Sequence, residues 1–244
     1  MIADAPAYGP AMDLPPLITG TLIKRYKRFL ADVELDTGET ITAHVANPGS
    51  MMGLNTPGSK VWLSISNNPK RKLKYSWELL EVDGALVGIN TNHPNKLGVE
   101  AIEDGTIKEL QGYGSLRREV KYGKNSRIDI LLEDGADGRP AYVEIKNVHL
   151  SRNPPLAEFP DSVTARGTKH LVELGDMVEQ GHRAVMLYLV QRTDCDRFAL
   201  AREIDPKYAE TLDMARKRGV EVLVYGCEIS PSSIKVSEAL ALDL

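Results

Sequence analysis

Residues 127–146, RIDILLEDGADGRPAYVEIK, decide how the rest of the chain is interpreted. Two short apolar runs flank a turn at 133–138 that is rich in Gly and Asp, which is the pattern of a β-hairpin. Side chains alternate between the two faces of a strand. Asp129 on the first strand is therefore predicted to meet Glu144 and Lys146 on the second.

The apolar residues of this hairpin define its buried face. Ile128, Ile130 and Leu132 occupy alternate positions on the first strand, as Val143 and Ile145 do on the second. If these two sets pack on the core, the two acids and the lysine lie on the opposite side of the sheet.

Two carboxylates on neighbouring strands form a hard oxygen site suited to Mg²⁺ or Mn²⁺. An ammonium group beside them stabilises phosphate charge or orients an attacking water. The spacing Asp-x14-Glu-x-Lys resembles the PD-(D/E)xK nuclease signature without its proline, since Ile128 precedes the acid. Taken alone, the spacing also fits an exposed hairpin with ordinary cross-strand charges.

The bulk composition limits the class of protein. The 244 residues are 42% hydrophobic and 26% charged, which excludes disordered and fibrous proteins. The net charge of −4 means that any nucleic-acid surface must be local. Cys195 and Cys227 lack metal-ligand or redox spacing. Without a signal-peptide pattern or an apolar run that could cross a bilayer, we expect a cytoplasmic protein.

The N-terminal third is predicted to form an OB-type β-barrel at residues 14–90, after a loose tail at 1–13. Short strand-like runs separated by Gly, Pro, Asn and Asp turns are typical of a small barrel. The predicted strands are 17–24, 29–35, 40–45, 60–66, 76–82 and 85–90.

Two basic runs interrupt this barrel, at residues 24–29 and 70–75. Cations mixed with aromatic residues are what a phosphate track with base-stacking platforms requires. The alternative is two solvated loops whose aromatic residues anchor in the barrel, but two such runs favour nucleic-acid binding. The predicted binding residues are Lys24, Arg25, Tyr26, Lys27, Arg28, Arg71, Lys72 and Lys74.

Residues 91–235 are predicted to form a restriction-endonuclease-like α/β core with a mixed sheet. The order is helix, three strands, helix, buried strand, helix, strand. Asn95 is predicted to cap the first helix. The crossover helix is predicted at 162–180 after a Pro-rich loop, capped by Asp161 or Ser162. The continuous apolar run at 183–190 is expected to be a buried central strand.

Four further residues are candidates for this site. Glu100 on the first helix is a candidate third metal ligand, and Glu119 on the first strand alternates in phase with Lys121. Arg166 and His170 are four residues apart and share one face of the crossover helix. Each also has a purely structural interpretation, as a solvated or packed side chain.

The sequence resembles the sugar fermentation stimulation protein A family. The resemblance covers about residues 14–224 and is carried by LIKRYKRFLADV at 22–33, EVKYG at 119–123, SRID at 126–129, EIKNV at 144–148, FPD at 159–161 and VTARGTKHL at 163–171. It implies an OB-fold domain, a PD-(D/E)xK nuclease-like domain, non-specific DNA binding and a role in regulating sugar metabolism, especially maltose genes. It also implies that Asp129 and Glu144 hold the metal and that Lys146 is catalytic.

Three functions remain open from the sequence. The first is a metal-dependent nuclease that uses Mg²⁺ or Mn²⁺, with RNA not excluded as a substrate. The second is a DNA-binding regulator whose nuclease-like domain is catalytically silent. The third is a sensor of a cyclic dinucleotide. A helix-turn-helix at 205–226 is not expected, because the β-branched and aromatic run after Gly219 favours a strand.

Overall fold

The computed structural model describes residues 11–243, which form three β-sheets and three α-helices. The strands are β1 (Met12–Asp13), β2 (Leu17–Tyr26), β3 (Leu30–Leu35), β4 (Thr40–Val45), β5 (Lys60–Ile65), β6 (Tyr75–Val82), β7 (Ala85–Gly88), β8 (Ser115–Tyr122), β9 (Ser126–Glu133), β10 (Ala141–Val148), β11 (Leu150–Asn153), β12 (Leu156–Phe159), β13 (Arg183–Val190), β14 (Arg197–Leu200), β15 (Glu221–Ile229), β16 (Ser233–Ala239) and β17 (Ala241–Asp243). The helices are α1 (His93–Glu103), α2 (Ala165–Glu179) and α3 (Pro206–Lys217).

The first domain is the predicted OB-type barrel. Its strands follow the order β4-β3-β2-β5-β6-β7, and a parallel pairing of β4 with β6 closes the barrel. Ala31, Val33 and Leu35 alternate along β3 and fill the interior together with Leu63 and Trp77. Most of the predicted N-terminal tail lies outside the described residues, but its last two residues form β1.

The second domain is a mixed sheet in the order β1-β16-β15-β13-β10-β9-β8, with helices on both faces. Strands β10, β13 and β15 are parallel. The central strand β13 is buried on both sides, as its apolar run predicts. Val185, Leu187 and Leu189 belong to the α1-side core, whereas Met186 and Tyr188 belong to the α2-side core.

The predicted Pro-rich loop before the crossover helix contains two strands. β11 and β12 form a hairpin around Pro154 and Pro155, and β14 and β17 extend it to a separate four-stranded sheet. The two prolines occupy the turn, so they remove no hydrogen bond from the ladder. Ala157 of β12 is buried in the α2-side core, which anchors the sheet. β16 and β17 also continue beyond the predicted domain end at residue 235.

The crossover helix begins later than predicted. α2 starts at Ala165, because the side chain of Thr164 accepts the amide of Gly167 at 3.1 Å and so caps the helix. The two predicted caps, Asp161 and Ser162, precede the helix and have other partners.

The other helices settle two further predictions. α1 has Asn92 as its cap and Pro94 in its first turn, so Asn95 lies inside the helix rather than capping it. α3 is followed by β15, which confirms the helix-then-strand interpretation of that stretch. Within residues 11–243, no helix combines the length and the apolar character needed to cross a membrane.

The predicted common face of the first hairpin strand breaks at the candidate site. Ile130 and Leu132 pack in the α1-side core, but Ile128 packs in the α2-side core. The neighbouring strand bends at the same level, where Glu119 has a φ of 54°. Simple alternation fails here because both strands bend, and Asp129 lies at the bend.

The two domains share one apolar core. Trp62 and Leu79 of the barrel belong to the same buried cluster as Leu97 of α1. At the edge of the contact, the amide of Gly88 donates to the carbonyl of Gln191 at 3.0 Å. The position of the barrel relative to the second domain is therefore fixed by packing as well as by the chain connection.

Candidate metal and nucleic-acid site

Asp129 and Glu144 lie side by side where β9 and β10 separate. The register of these strands ends with Ile130 opposite Val143, one residue before the two acids. The amide of Ile145 then donates to Asp129 Oδ2 at 2.7 Å instead of to a main-chain carbonyl. This bond fixes the orientation of the Asp129 carboxylate at the fork between the strands.

Asn95 connects α1 to two acids of the sheet. Its side-chain amide donates to Asp129 Oδ1 at 2.9 Å and to Glu119 Oε1 at 3.2 Å. The β8–β9 register on either side of the bend places Glu119 opposite Asp129. The acid that joins the predicted pair is therefore Glu119.

The pKa of Asp129 is raised to about 6, first by burial and then by the charge of Glu144. The hydrogen bonds from Ile145 and Asn95 and the charge of Lys146 lower the pKa but do not offset the rise. Two carboxylates held together in a partly buried site disfavour their joint ionisation. A bound cation would relieve that repulsion.

The two oxygens of Glu144 have different surroundings. Lys146 Nζ donates to Oε1 at 2.6 Å, and His170 Nδ1 contacts the same oxygen. Oε2 is buried and has no hydrogen-bond partner among the residues that the structure describes. Burial acts to raise the pKa of Glu144, but Lys146 and His170 outweigh burial and lower it. Glu144 is thus an ionised carboxylate with one bare oxygen.

His170 on α2 links Glu144 to the rim of the site. Its Nδ1 contacts Glu144, and its Nε2 accepts from Arg166 Nε at 3.4 Å. This pattern assigns the proton of a neutral ring to Nδ1. Both secondary candidates on the crossover helix therefore lie at the site.

These side chains line an open cavity of about 400 Å³ between the barrel and the second domain. The lining residues are Asn47, Pro48, Gly49, Thr91, Pro94, Asn95, Glu119, Asp129, Glu144, Ile145, Lys146, Asn147, His149, Phe159, Asp161, Arg166 and His170.

One wall of the cavity is a barrel loop that is held from both domains. The guanidinium of Arg25 donates to the carbonyls of Asn47 and Gly49, each at 2.9 Å. From the second domain, Asp161 Oδ2 accepts the amide of Met51 at 2.8 Å. A Cβ at Gly49 would lie only 2.8 Å from Asp161 Oδ2, so this close approach requires glycine. Arg25, predicted to grip phosphate, instead holds this loop.

Asp161 is a strong anchor because its charged form is favoured. Burial raises its pKa, but the contact with His149 and the amide of Met51 outweigh burial and lower the pKa well below the usual range. Replacing Asp161 by Asn weakens these charge-assisted contacts.

We expect Asp161→Asn to lower the free energy of unfolding at pH 7 by about 1–3 kcal/mol. A carboxyl group with a depressed pKa stabilises the fold above its unfolded pKa of about 4 and loses that contribution in acid. The difference in melting temperature between parent and variant should therefore shrink between pH 5 and pH 3. Glu103→Gln on α1 is the control and should melt like the parent. A difference that stays constant down to pH 3 would contradict the assignment.

Glu100 is not brought to the site. It pairs with Lys96 at 3.5 Å along α1 and does not line the cavity. Glu119 lies opposite Asp129 on the neighbouring strand and shares the side-chain amide of Asn95 with it. The first helix contributes Asn95 to the site instead of an acid.

The two basic runs of the barrel lie at one edge. Leu30 pairs with His44, which pairs with Ser76 on the next strand. Arg71 Nη2 donates to Ser76 Oγ at 2.7 Å. The β2–β3 hairpin and the β5–β6 loop are thus neighbours across β4, and together they form one basic edge of the barrel.

Several predicted binding residues have internal partners at this edge. Lys24 pairs with Asp32 at 3.5 Å, and the Tyr26 hydroxyl donates to Asp32 at 2.9 Å. Lys74 Nζ lies 5.6 Å from the centre of the Tyr75 ring. Within the described part of the chain, the cationic side chains of this edge with no hydrogen bond, ion pair or ring contact are Lys27, Arg28, Lys70 and Lys72.

Sequence reasoning missed two residues of the site by assigning them to helix caps. Asn95 contacts two acids, and Asp161 holds the barrel loop. The signal for Asn95 is Pro94, because proline favours the first turn of a helix and the cap precedes it. No local signal marks Asp161, whose partner Met51 is distant in the chain.

Within residues 11–243, no group of three or more His, Cys, Asp or Glu side chains is placed to hold a metal ion. Asp129 and Glu144 nevertheless fit a hard cation, because they offer carboxylate oxygens, one of them buried and bare. Mg²⁺ is commonly held by one or two carboxylates, with waters and substrate phosphates completing its shell. The donor set thus fits a hard divalent cation.

The architecture defines the class as an OB-fold barrel followed by a restriction-endonuclease-like domain. The family model described as "SfsA N-terminal OB domain" matches residues 23–89. The model described as "Sugar fermentation stimulation protein RE domain" matches residues 92–233. The chain belongs to the sugar fermentation stimulation protein (SfsA) family.

Individual proteins agree with this assignment. The sugar fermentation stimulation protein homolog of Rhodospirillum centenum is 61% identical over 93% of this chain and 97% of that protein. The homolog of Maricaulis maris is 58% identical over 93% of this chain and 97% of that protein. The solved structure of Pyrococcus furiosus SfsA in complex with Ca²⁺ has a TM-score of 0.86 at 27% identity and covers 97% of this chain and 100% of that one.

Proposed function

We propose that this protein binds DNA through its barrel and hydrolyses phosphodiester bonds in the cavity, using a divalent cation. The observation that carries the proposal is the bare, buried Oε2 of ionised Glu144 beside the partly buried carboxylate of Asp129. An unpaired buried carboxylate oxygen costs free energy unless a cation or donor meets it.

Asp129 and Glu144 are the residues that would hold the cation, and Mg²⁺ or Mn²⁺ is the metal that we propose. The solved SfsA structure that contains Ca²⁺ supports an oxygen-ligated divalent ion in this fold. When bound, such an ion neutralises charge on a phosphate oxygen and lowers the pKa of an attacking water.

The remaining side chains of the cavity orient the reacting groups and neutralise phosphate charge. Lys146 lines the cavity beside Glu144, where its ammonium stabilises phosphate charge or orients water. His170 fixes the carboxylate of Glu144 and is a positioning residue. Arg166 brings a guanidinium to the rim, where it suits a phosphate oxygen.

The direct test is an incubation of the protein with labelled single-stranded, duplex and branched DNA and with RNA, with Mn²⁺ or with chelator. Cleavage that needs Mn²⁺ supports the proposal. The absence of cleavage of every substrate, with binding intact, overturns the hydrolytic part.

A catalytically silent DNA-binding regulator of sugar metabolism is the second candidate. Two observations favour it: Lys146 already neutralises Glu144, and no group of three or more acids, cysteines or histidines in the described range is placed to hold a metal ion. It predicts salt-sensitive binding that chelator does not change, and no cleavage with Mn²⁺.

Binding by the basic edge makes its own prediction. A Lys70→Gln/Lys72→Gln variant should bind single-stranded DNA more weakly, because two unpaired cations are removed. The plot of log affinity against log salt has a negative slope, and this slope should become shallower by about 0.7 for each phosphate that is no longer neutralised. Fluorescence anisotropy in chelator measures both quantities. The matched control is Arg216→Gln/Lys217→Gln on α3, which removes the same charge away from the barrel. Equal losses in the two variants would show that only net charge matters.

A further inference from the structure

We infer that Lys121 and Arg127 on the β8–β9 hairpin form a second phosphate site, which binds the backbone phosphate next to the one that enters the cavity. The inference rests on the proposed function, since its ligand is the same nucleic-acid strand. It adds a binding surface on the second domain that is separate from the basic edge of the barrel.

The two side chains form a cross-strand pair of like charge. Lys121 lies directly opposite Arg127 in the antiparallel register. Both residues are exposed, and neither side chain has a hydrogen bond or ion pair among the residues that the structure describes. Like charges placed directly opposite each other destabilise a sheet. Lys124 adds a third cation in the turn between them.

The pair lies next to the acids along the sheet. Arg127 precedes Asp129 by two residues on β9, and Lys121 follows Glu119 by two residues on β8. Val120 and Ile128 point into the α2-side core, so Lys121 and Arg127 point away from it. Two residues of strand span about 7 Å, which is close to one phosphate step along an extended nucleic-acid backbone.

The hairpin end is held in shape. The turn encloses a depression of about 330 Å³ lined by residues 121–127. The amide of Lys124 donates to Glu173 Oε1 at 3.2 Å, and Gly123 packs against the same carboxylate with a φ of 54°. The cations therefore project from a turn that is anchored to α2, which lowers the entropic cost of binding.

A defensive role for these charges explains each residue but not their pairing. β8 is the edge strand of its sheet and β9 has no β10 partner beyond Ile130, so a cation on either strand prevents pairing with other chains. One charge serves that purpose, whereas two like charges directly opposite each other destabilise the sheet. A shared anionic ligand accounts for the pair.

The test uses the full-length protein, fluorescein-labelled single-stranded DNA and chelator, so that no cleavage occurs. Lys121→Gln/Arg127→Gln should weaken binding about fivefold at 0.1 M salt and decrease the salt slope by about 0.7, the values expected when one phosphate is no longer neutralised. Arg216→Gln/Lys217→Gln should stay within about twofold of the parent, as expected for surface substitutions outside a binding site. Unchanged binding in the first variant, or equal losses in both, overturns the inference.

Thermal melting shows whether a loss of DNA binding comes from a loss of stability. Because the substitution removes a repulsive pair, the double variant should melt no lower than the parent. If it melts lower, the single variants Lys121→Gln and Arg127→Gln are compared with the single variant Arg216→Gln. Each of the two should bind DNA more weakly than Arg216→Gln. If either does not, the inference is overturned.

The outcome is separable from that of the proposed function. If the parent cleaves nothing with Mn²⁺ but the binding loss is found, hydrolysis is rejected and the phosphate site stands. If the parent cleaves and the loss is absent, the phosphate site alone is rejected. A parent protein that does not bind DNA overturns both.

Discussion

An Asp129→Ala variant is expected to lose Mn²⁺-dependent cleavage by about a thousandfold while it binds DNA in chelator like the parent. Cation catalysis of phosphodiester hydrolysis is worth several kcal/mol, and about 4 kcal/mol corresponds to this factor. Asp129 lies in the cavity and makes no contact with the basic edge of the barrel, so the binding surface is left intact. Single-turnover cleavage and anisotropy measure the two quantities.

The matched control is Glu100→Ala, which also removes one acid from the same domain. Glu100 is paired with Lys96 on α1 and does not line the cavity. It should cleave within about twofold of the parent, as expected for a surface substitution. Full cleavage by Asp129→Ala would reject the mechanism, and equal losses in both variants would indicate a general effect of charge.

An Asp129→Asn variant is expected to be more stable than the parent at pH 7.5, although it is inactive. The pKa of Asp129 rises from 3.8 to about 6 on folding, so keeping the group ionised costs the folded state about 2–3 kcal/mol. Asparagine carries no charge and does not incur this cost, but its amide can accept only one of the two hydrogen bonds from Ile145 and Asn95, which returns about 1 kcal/mol. A gain of about 5 °C in melting temperature follows for a chain of this size.

The pH dependence has a definite sign. An acid whose pKa is raised on folding destabilises the fold at high pH, and this cost disappears as the pH falls from about 6 to about 4. The advantage of Asp129→Asn should therefore vanish near pH 4. In addition, Mn²⁺ should raise the melting temperature of the parent more than that of the variant. A variant less stable than the parent at pH 7.5 would contradict the assignment.

The fold was largely predictable from local patterns. The barrel strands, the buried strand β13 and the helix-then-strand at the C-terminal end follow from alternation, continuous apolar runs and Gly stops. Helix starts were less accurate, because Thr164, Asp161 and Ser162 are all acceptable caps in isolation. Only the contact of Asp161 with Met51 removes it from the helix, and such a contact joins residues too distant to be read from the sequence.

The site was predictable only in its central residues. The hairpin pattern predicted that Asp129, Glu144 and Lys146 lie close together, because they are on neighbouring strands. It could not reveal the bend at Glu119, since a positive φ on a glutamate has no local sequence signature. It also could not show that Arg25 donates its hydrogen bonds to backbone carbonyls of its own domain.

The short strand β1 gives the barrel an unusual attachment. β1 pairs with β16 of the second domain before the chain enters the barrel, and the chain returns to the second domain at α1. The barrel is therefore an insertion, tethered at both of its ends, and cannot swing about a single linker. A nucleic-acid strand that docks on the barrel is consequently presented to the second domain at high effective concentration. Under this arrangement, weak contacts at the second domain suffice to retain it.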